Sequence, residues 1–274
     1  MSATAATAAL REPPVPAGAA GRRRRRGRAL LRGAVLPLAL LLAWWGVYAT
    51  GLTESRFYAP PGEVVQTAWR LAGTPVLWTA IGASLLRALA GFALGGALGV
   101  LVGVLLGTSR HARRLLGPTL NTLRQVSLFA WIPIIIIWFG LDEASKVVFI
   151  AIAAFFPVML NTVEGVAGIP REVRELARAL TCTPAQTFLR FILPGAAASI
   201  FSGAYTALVR VWGAAIAAEY MMTSGPGLGR LLLDGLETSA MDLVIVGVLL
   251  AGLIGFGLHF LASRFESHLL RWRQ

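Results

Sequence analysis

The chain has 274 residues, 56% of them hydrophobic and 14% charged, with a mean hydropathy of +0.69, a balance that excludes an ordinary soluble domain and predicts an integral membrane protein. The formal charge of +12 comes almost wholly from arginine, Lys146 being the only lysine. These arginines sit between apolar runs rather than on one face, which argues against a nucleic-acid-binding protein.

Residues 1–32 are read as a disordered, Arg-rich cytosolic tail. Ala, Pro and Gly precede Arg22 to Arg26 and Arg28, a composition that cannot bury enough apolar surface to offset chain entropy. The apolar run Gly33 to Gly51 follows. At about 1.5 Å per residue it matches a hydrocarbon core of roughly 30 Å, and it exceeds a signal peptide's apolar region, so it is expected to remain as a first span. Residues 52–80 are turn-rich, with Pro60, Pro61, Gly62 and Pro75, and hold a short apolar-periodic piece around Val64, Val65, Ala68 and Leu71 that suits the membrane interface. Further spans are expected at Leu85 to Gly107, Thr122 to Leu141, Val147 to Val166, Gly195 to Ala218 and Leu243 to Leu261. The fold class is therefore all-α, a polytopic membrane protein with about six transmembrane helices.

Orientation follows from the positive charges. With a cytosolic N-terminus the inside segments hold nineteen arginines and the outside segments four basic residues, Arg56, Arg70, Lys146 and Arg230; Arg87 and Arg210 lie within or at the edge of helices. Both termini are expected in the cytosol, with the tail acting as a topology signal and a contact for anionic membrane lipid. The lone Cys182 admits no intramolecular disulfide, and three scattered histidines give no metal-ligand spacing, so no cofactor is expected.

Within the spans, Gly91, Gly95, Gly99, Gly103 and Gly107 form a stripe at strict spacing of four, a smooth face for close helix approach within the chain or between subunits. The third span contains Pro133, whose missing donor is tolerated at membrane depth where neighbouring protein or a water-lined cavity compensates; it marks either a solute pathway or a simple kink. Trp131 and Trp138 of this span, and Tyr205, Arg210, Trp212 and Glu219 of the fifth, are the candidate pathway lining. Arg210 is the strong cation without an aqueous home. It suits a small anionic substrate through charge-assisted hydrogen bonds, or else an interhelical pair with Glu164 or Glu219, or a side chain that snorkels to the interface.

The cytosolic loop 167–194 is too long for a connector. After Pro170, the residues Val173, Leu176, Ala177 and Leu180 recur at i, i+3, i+4 and i+7, with Arg171, Arg174, Glu175 and Arg178 on the other face. Thr183, Pro184 and Gln186 then read as an N-cap, a first-turn proline and a capping-box partner, opening a second short helix that ends at Leu193 and Pro194. The loop presents an apolar ridge with a charged flank, the form of a partner-docking element, with an unpartnered membrane-surface helix as the alternative.

Glu175-Leu-Ala-Arg-Ala-Leu-Thr181, nine residues, then Phe191-Ile-Leu-Pro194 resembles the EAA loop of ATP-binding cassette (ABC) importer permeases. Leu176 stands where that family has its first Ala, Thr181 where it has Gly, and Phe191 where it has Ile. If the turn at Thr181 needs a positive φ, threonine there is costly. Ser84-Leu-Leu-Arg-Ala-Leu-Ala-Gly-Phe92, Trp131-Ile-Pro, Trp138-Phe-Gly-Leu-Asp-Glu-Ala-Ser-Lys146, Phe155-Phe-Pro157 with Asn161-Thr-Val-Glu-Gly165, and Ala218-Glu219 followed by Gly227-Leu-Gly229 are similar to the nitrate, taurine and aliphatic sulfonate branch. The resemblance covers roughly residues 58–272.

It implies a type I ABC importer permease fold over residues 33–274, in the bacterial inner membrane. It also implies a second permease subunit, as a homodimer, two ABC ATPase subunits and an extracytoplasmic solute-binding protein. The coupling contacts to the ATPase would come from Val173, Arg174, Glu175, Leu176, Ala177, Arg178, Leu180, Thr181, Leu193 and Pro194. No Gly-rich loop ending in Gly-Lys-Ser/Thr is present, so ATP hydrolysis falls to the partner and the chain is not an enzyme. The substrate implied is nitrate, taurine, an aliphatic sulfonate or a similar small anion, with a vitamin precursor such as a hydroxymethylpyrimidine as the alternative within the class. An ion-coupled secondary transporter would need acids deep in the spans, whereas Glu164 and Glu219 lie near helix ends.

Overall fold

The computed structural model describes residues 35–36, 38–39, 41–50 and 58–269. The expected tail 1–32 lies outside them, as do the ends of the first span. The chain divides into two units, Met1–Ser55 and Arg56–Gln274. In the first, residues 41–49 form helix α1.

The second unit starts with α2 (Pro61–Ala72), entered through the extended Pro60 and closed by the Gly73 amide on the Arg70 and Leu71 carbonyls. Helix α3 (Pro75–Thr108) begins about ten residues before the expected span, because Pro75 occupies the first turn, where a proline removes no needed hydrogen bond. Its 34 residues reach about 51 Å, well beyond a hydrocarbon core of roughly 30 Å. The glycine stripe of α3 packs within the chain, on α6 (Glu143–Ala167). A Cβ at Gly99 would lie 2.8 Å from the Phe155 carbonyl oxygen, and one at Gly103 2.8 Å from that of Met159.

The third expected span is not one helix. Basic α4 (Arg110–Leu123) is followed by a 3-10 turn (Leu128–Trp131) that leads into α5 (Ile132–Phe139), and the two arms are bent by 98°. The break precedes Pro133, which sits in the first turn of α5 instead of kinking a continuous span. Thr122, expected at the start of a span, therefore belongs to the last turn of α4.

Helix α6 runs through Pro157 to a Gly168 cap and is followed by α7 (Arg171–Ala179). The expected second short helix is α8 (Pro184–Thr187), where Thr183 and Gln186 form the reciprocal capping box. It does not stop at Pro194. A π turn (Phe188–Ile192) carries it into α9 (Leu193–Met221), so helical backbone continues from Pro184 to Met221. A short α10 (Leu228–Glu237) and a long α11 (Met241–Leu269) complete the unit.

Phe149, Ile150, Ala154 and Val158 of α6 pack against Ala88 of α3 and against Ala207, Val211, Ala215 and Ala218 of α9. Small residues at these contacts let the backbones approach closely, the packing that holds helices where lipid offers no hydrophobic drive. Among the described residues four helices are long and apolar enough to span a bilayer, or five with the bent pair taken as one span.

Candidate functional site

Between the α4–α5 connection, α6 and α9 lies a groove of about 790 Å³. Arg124, Gln125, Phe129 and Trp131 line one side, Phe149, Phe156 and Asn161 of α6 the floor, and Thr206, Arg210 and Gly213 of α9 the other side. Arg124 and Arg210 are its two charged lining residues, and no carboxylate is among them. Arg210 is exposed and, among the described residues, makes no ion pair or hydrogen bond. The Asn161 amide donates to the Pro157 carbonyl at 2.9 Å and the Thr206 hydroxyl to Ser202 at 3.0 Å, each turned back on its own helix. The site thus combines aromatic walls, neutral hydrogen-bonding groups and an uncompensated positive field, a combination that favours a small anion.

Of the six expected pathway residues, Trp131 and Arg210 meet in this groove. Trp138 is 73% exposed near the end of α5. The Tyr205 hydroxyl lies 3.0 Å from a ring nitrogen of His259 on α11, and the Trp212 indole N–H donates to the Ala251 carbonyl at 2.8 Å. Glu219 is enclosed in an ion pair described below. Tyr205, Trp212 and Glu219 fall seven apart along α9, on one stripe, whereas Thr206, Arg210, Gly213 and Ala217 occupy another. That spacing was the signal separating the two sets. Arg124, Gln125, Asn161 and Thr206 are groove residues that sequence reasoning did not single out.

A buried polar cluster occupies the end of the bundle where α6 begins and α9 ends. Arg87 Nη1 donates to Glu219 Oε1 at 2.7 Å and to the Pro226 carbonyl at 2.7 Å. Its Nε and Nη2 reach the two Glu143 oxygens at 2.5 and 2.7 Å. The Ser84 hydroxyl donates to Glu219 Oε2 at 2.8 Å and accepts from the Leu228 amide at 3.0 Å, while the Gly229 amide donates to the same carboxylate at 3.0 Å. Lys146, fully buried, donates to the Ser224 carbonyl and lies 3.4 Å from Glu143. Two cations and two anions balance, and four side chains hold four backbone groups of the 224–229 segment. A Cβ at Gly227 would fall 2.5 Å from the Glu219 carboxyl carbon, so the segment passes over the cluster only as glycine.

The third feature is the corner around α7. Ala177 is fully buried and Val173 half-buried, whereas Leu176 and Leu180 are 54% and 57% exposed, beside exposed Glu175 and Arg178. The apolar ridge therefore divides: one edge holds α7 to its own chain, the other is left free. Arg174 Nη2 donates to the Val166 carbonyl at 2.9 Å, tying α7 to the last turn of α6. Leu193 and Pro194 open α9, beyond the π turn.

The helix ends in a Schellman arrangement, with the Cys182 amide on the Ala177 carbonyl at 3.0 Å and the Thr181 amide on Arg178 at 2.9 Å. Thr181 has φ 52°, the left-handed conformation that favours glycine. Thr181→Gly is expected to stabilise the folded chain by about 1 kcal/mol, read as a higher thermal midpoint in detergent. A lower midpoint would show that the hydroxyl contributes more than the backbone strain costs.

The family model for the binding-protein-dependent transport system inner membrane component matches residues 95–271, from the glycine stripe through the α7 corner to α11. The chain belongs to this family. A protein of Escherichia coli strain K12 named as an aliphatic sulfonates transport permease, SsuC, is 38% identical over 237 residues, covering 86% of this chain and 90% of its own. The taurine transport system permease protein TauC of the same organism is 31% identical, covering 85% and 86%. The bicarbonate transport system permease protein CmpB of Synechococcus elongatus is 30% identical, covering 89% and 91%. Two inward-facing structures of the MetNI methionine ABC transporter match 73% of this chain and all of theirs, with TM-scores of 0.57 and 0.59 at 19% and 21% identity. The permease is thus an ABC importer subunit of the nitrate, taurine and sulfonate branch, a multi-pass inner membrane protein and not an enzyme.

Proposed function

We propose that the permease moves a small anion of the sulfonate, taurine or nitrate class inward through the groove between the α4–α5 connection, α6 and α9. The observation that carries this reading is the pair Arg124 and Arg210, with no carboxylate on the lining. A guanidinium offers paired donors to a sulfonate or nitrate and keeps its charge at any physiological pH. The relatives named above are permeases for sulfonates, taurine and bicarbonate, consistent with a site that selects charge and oxygen donors.

In this reading both termini are cytosolic, and two copies of the chain face each other across the pathway. The exposed edge of α7, with Glu175, Leu176, Arg178 and Leu180, docks into a groove of each of two ATPase subunits. A solute-binding protein delivers substrate on the opposite side, and helix rocking alternates access.

The test is uptake of radiolabelled taurine, an alkanesulfonate or nitrate by proteoliposomes holding the whole importer. A hydroxymethylpyrimidine serves as the neutral comparison. Arg210→Gln is expected to lower initial anion uptake about tenfold to a hundredfold, the loss of a charge-assisted hydrogen bond of about 1.5–3 kcal/mol, while the ATPase still co-purifies. Unchanged uptake would remove Arg210 from the pathway, and transport of the neutral solute alone would overturn the anion assignment.

A further inference from the structure

Helix α2 presents three sectors when its residues are placed at about 100° each. Val64, Thr67 and Leu71 form the inner sector. It rests on α11, where the Thr67 hydroxyl bonds the Asp242 carboxylate and Arg70 Nη2 donates to Thr67 at 2.8 Å. Glu63, Gln66 and Arg70 form a polar sector. Val65, Trp69 and Ala72 form a third, apolar and exposed, with Val65 at 67% and Trp69 at 83%. A helix that only packed against its own protein would need one apolar face. This one has two, with the polar sector between them on the outer side.

The exposed sector is continuous with an exposed apolar side of α3. Trp78, 63% exposed, donates its indole N–H to the Ala72 carbonyl at 3.0 Å, joining the end of α2 to the first turn of α3. Gly82, Leu86 and Leu89 follow Trp78 on one stripe of α3, Leu86 69% and Leu89 56% exposed, opposite the glycines that pack on α6. Tryptophan concentrates at the headgroup level of a bilayer, where an apolar ring and a polar N–H are both accommodated.

We propose that α2 is an interfacial helix, lying along the membrane surface with Val65, Trp69 and Ala72 set among lipid headgroups and the first acyl carbons, and with Glu63, Gln66 and Arg70 in water. The occupant of the exposed sector is lipid. Its depth is that of an amphipathic surface helix, about 5–10 Å below the headgroup boundary. The placement in the outer leaflet rests on the cytosolic-termini reading; the contact with lipid does not.

The experiment uses the importer reconstituted in liposomes, with Cys182→Ser as background and a nitroxide label at either Trp69→Cys or Gln66→Cys. The label at position 69 is expected to collide several-fold more with oxygen than with a water-soluble nickel chelate, and the label at 66 to show the reverse. Equal nickel access at both positions would place the sector in water or against a soluble partner. Shielding of position 69 from both reagents would mean that protein covers it. Either result overturns the proposal. Should the Trp69→Cys chain fail to insert, Trp69→Phe in the native background serves instead, and quenching of its intrinsic fluorescence by brominated lipid is expected to fall below that of the parent. Undiminished quenching in Trp69→Phe would equally overturn the proposal. Neither measurement depends on transport.

Discussion

Replacing Arg87 by alanine is expected to cost the folded permease about 3–5 kcal/mol, the largest single-residue loss foreseen in the chain. Arg87 is 5% and Glu219 1% exposed, and their 2.7 Å contact joins helices that sit 132 positions apart in sequence. Without the guanidinium, Glu219 keeps only the Ser84 hydroxyl and the Gly229 amide, and the Pro226 carbonyl loses its donor. An anion stripped of its partner in a poorly solvated site costs more than the pair contributes when intact. Glu143, 57% exposed on its side chain, turns to water and adds little. The measurement is the thermal midpoint and membrane yield of Arg87→Ala beside Glu219→Leu and the double variant Arg87→Leu with Glu219→Leu. Each single change is expected to be severe and the double one to recover much of the loss, since two apolar side chains leave no unpaired charge. A midpoint for Arg87→Ala within about 1 kcal/mol of the parent would mean that water already reaches the pair.

Gly95→Ala is expected to destabilise the chain by about 3 kcal/mol, whereas Gly96→Ala one position on is expected to be neutral or favourable by up to about 1 kcal/mol. The added methyl at Gly95 would overlap the backbone carbonyl of Ala151, which cannot turn aside as a side chain would. At Gly96 nothing lies within 4 Å, so the methyl enters open space and only the better helix propensity of alanine is felt. The two variants share composition, depth and chemistry. Their difference in thermal midpoint therefore reports helix contact alone, and equal midpoints would show that α3 and α6 are looser than the structure has them.

The long apolar runs made α3, α6, α9 and α11 legible, because periodic burial and spanning length are local properties of sequence. The capping box at Thr183 and the i, i+3, i+4, i+7 pattern of α7 were legible for the same reason. The start of α3 was not: Ser84 and Arg87 look like a boundary until Glu219 and the 224–229 backbone are seen to satisfy them. Lys146 stood out as the only lysine, but its burial depends on the Ser224 carbonyl from a distant turn. Helix α10 escaped notice because ten residues between a glycine-rich turn and a span carry little periodicity. In the groove, Arg210 could be picked out by its charge, while Asn161 and Thr206 could not, being ordinary helix residues until α6 and α9 are set side by side.

The glycine stripe has a mechanical consequence. From Gly91 to Gly107, about 24 Å of α3 is meshed with α6 so closely that neither helix can slide past the other without steric overlap. The two are expected to move as one strut, with the interruptions of regular helix lying elsewhere: at the Gln125–Ser127 bend, where the chain turns through 98°, and at the π turn of Phe188–Ile192, whose wider coil precedes Pro194. The groove has α6 of this strut as its floor, with Gln125 and Val126 of the bend on one side and α9, which follows the π turn, on the other. A change in its width is therefore expected to come from movement of the 124–131 connection and α9 against this post, not from a deformation shared evenly around the bundle.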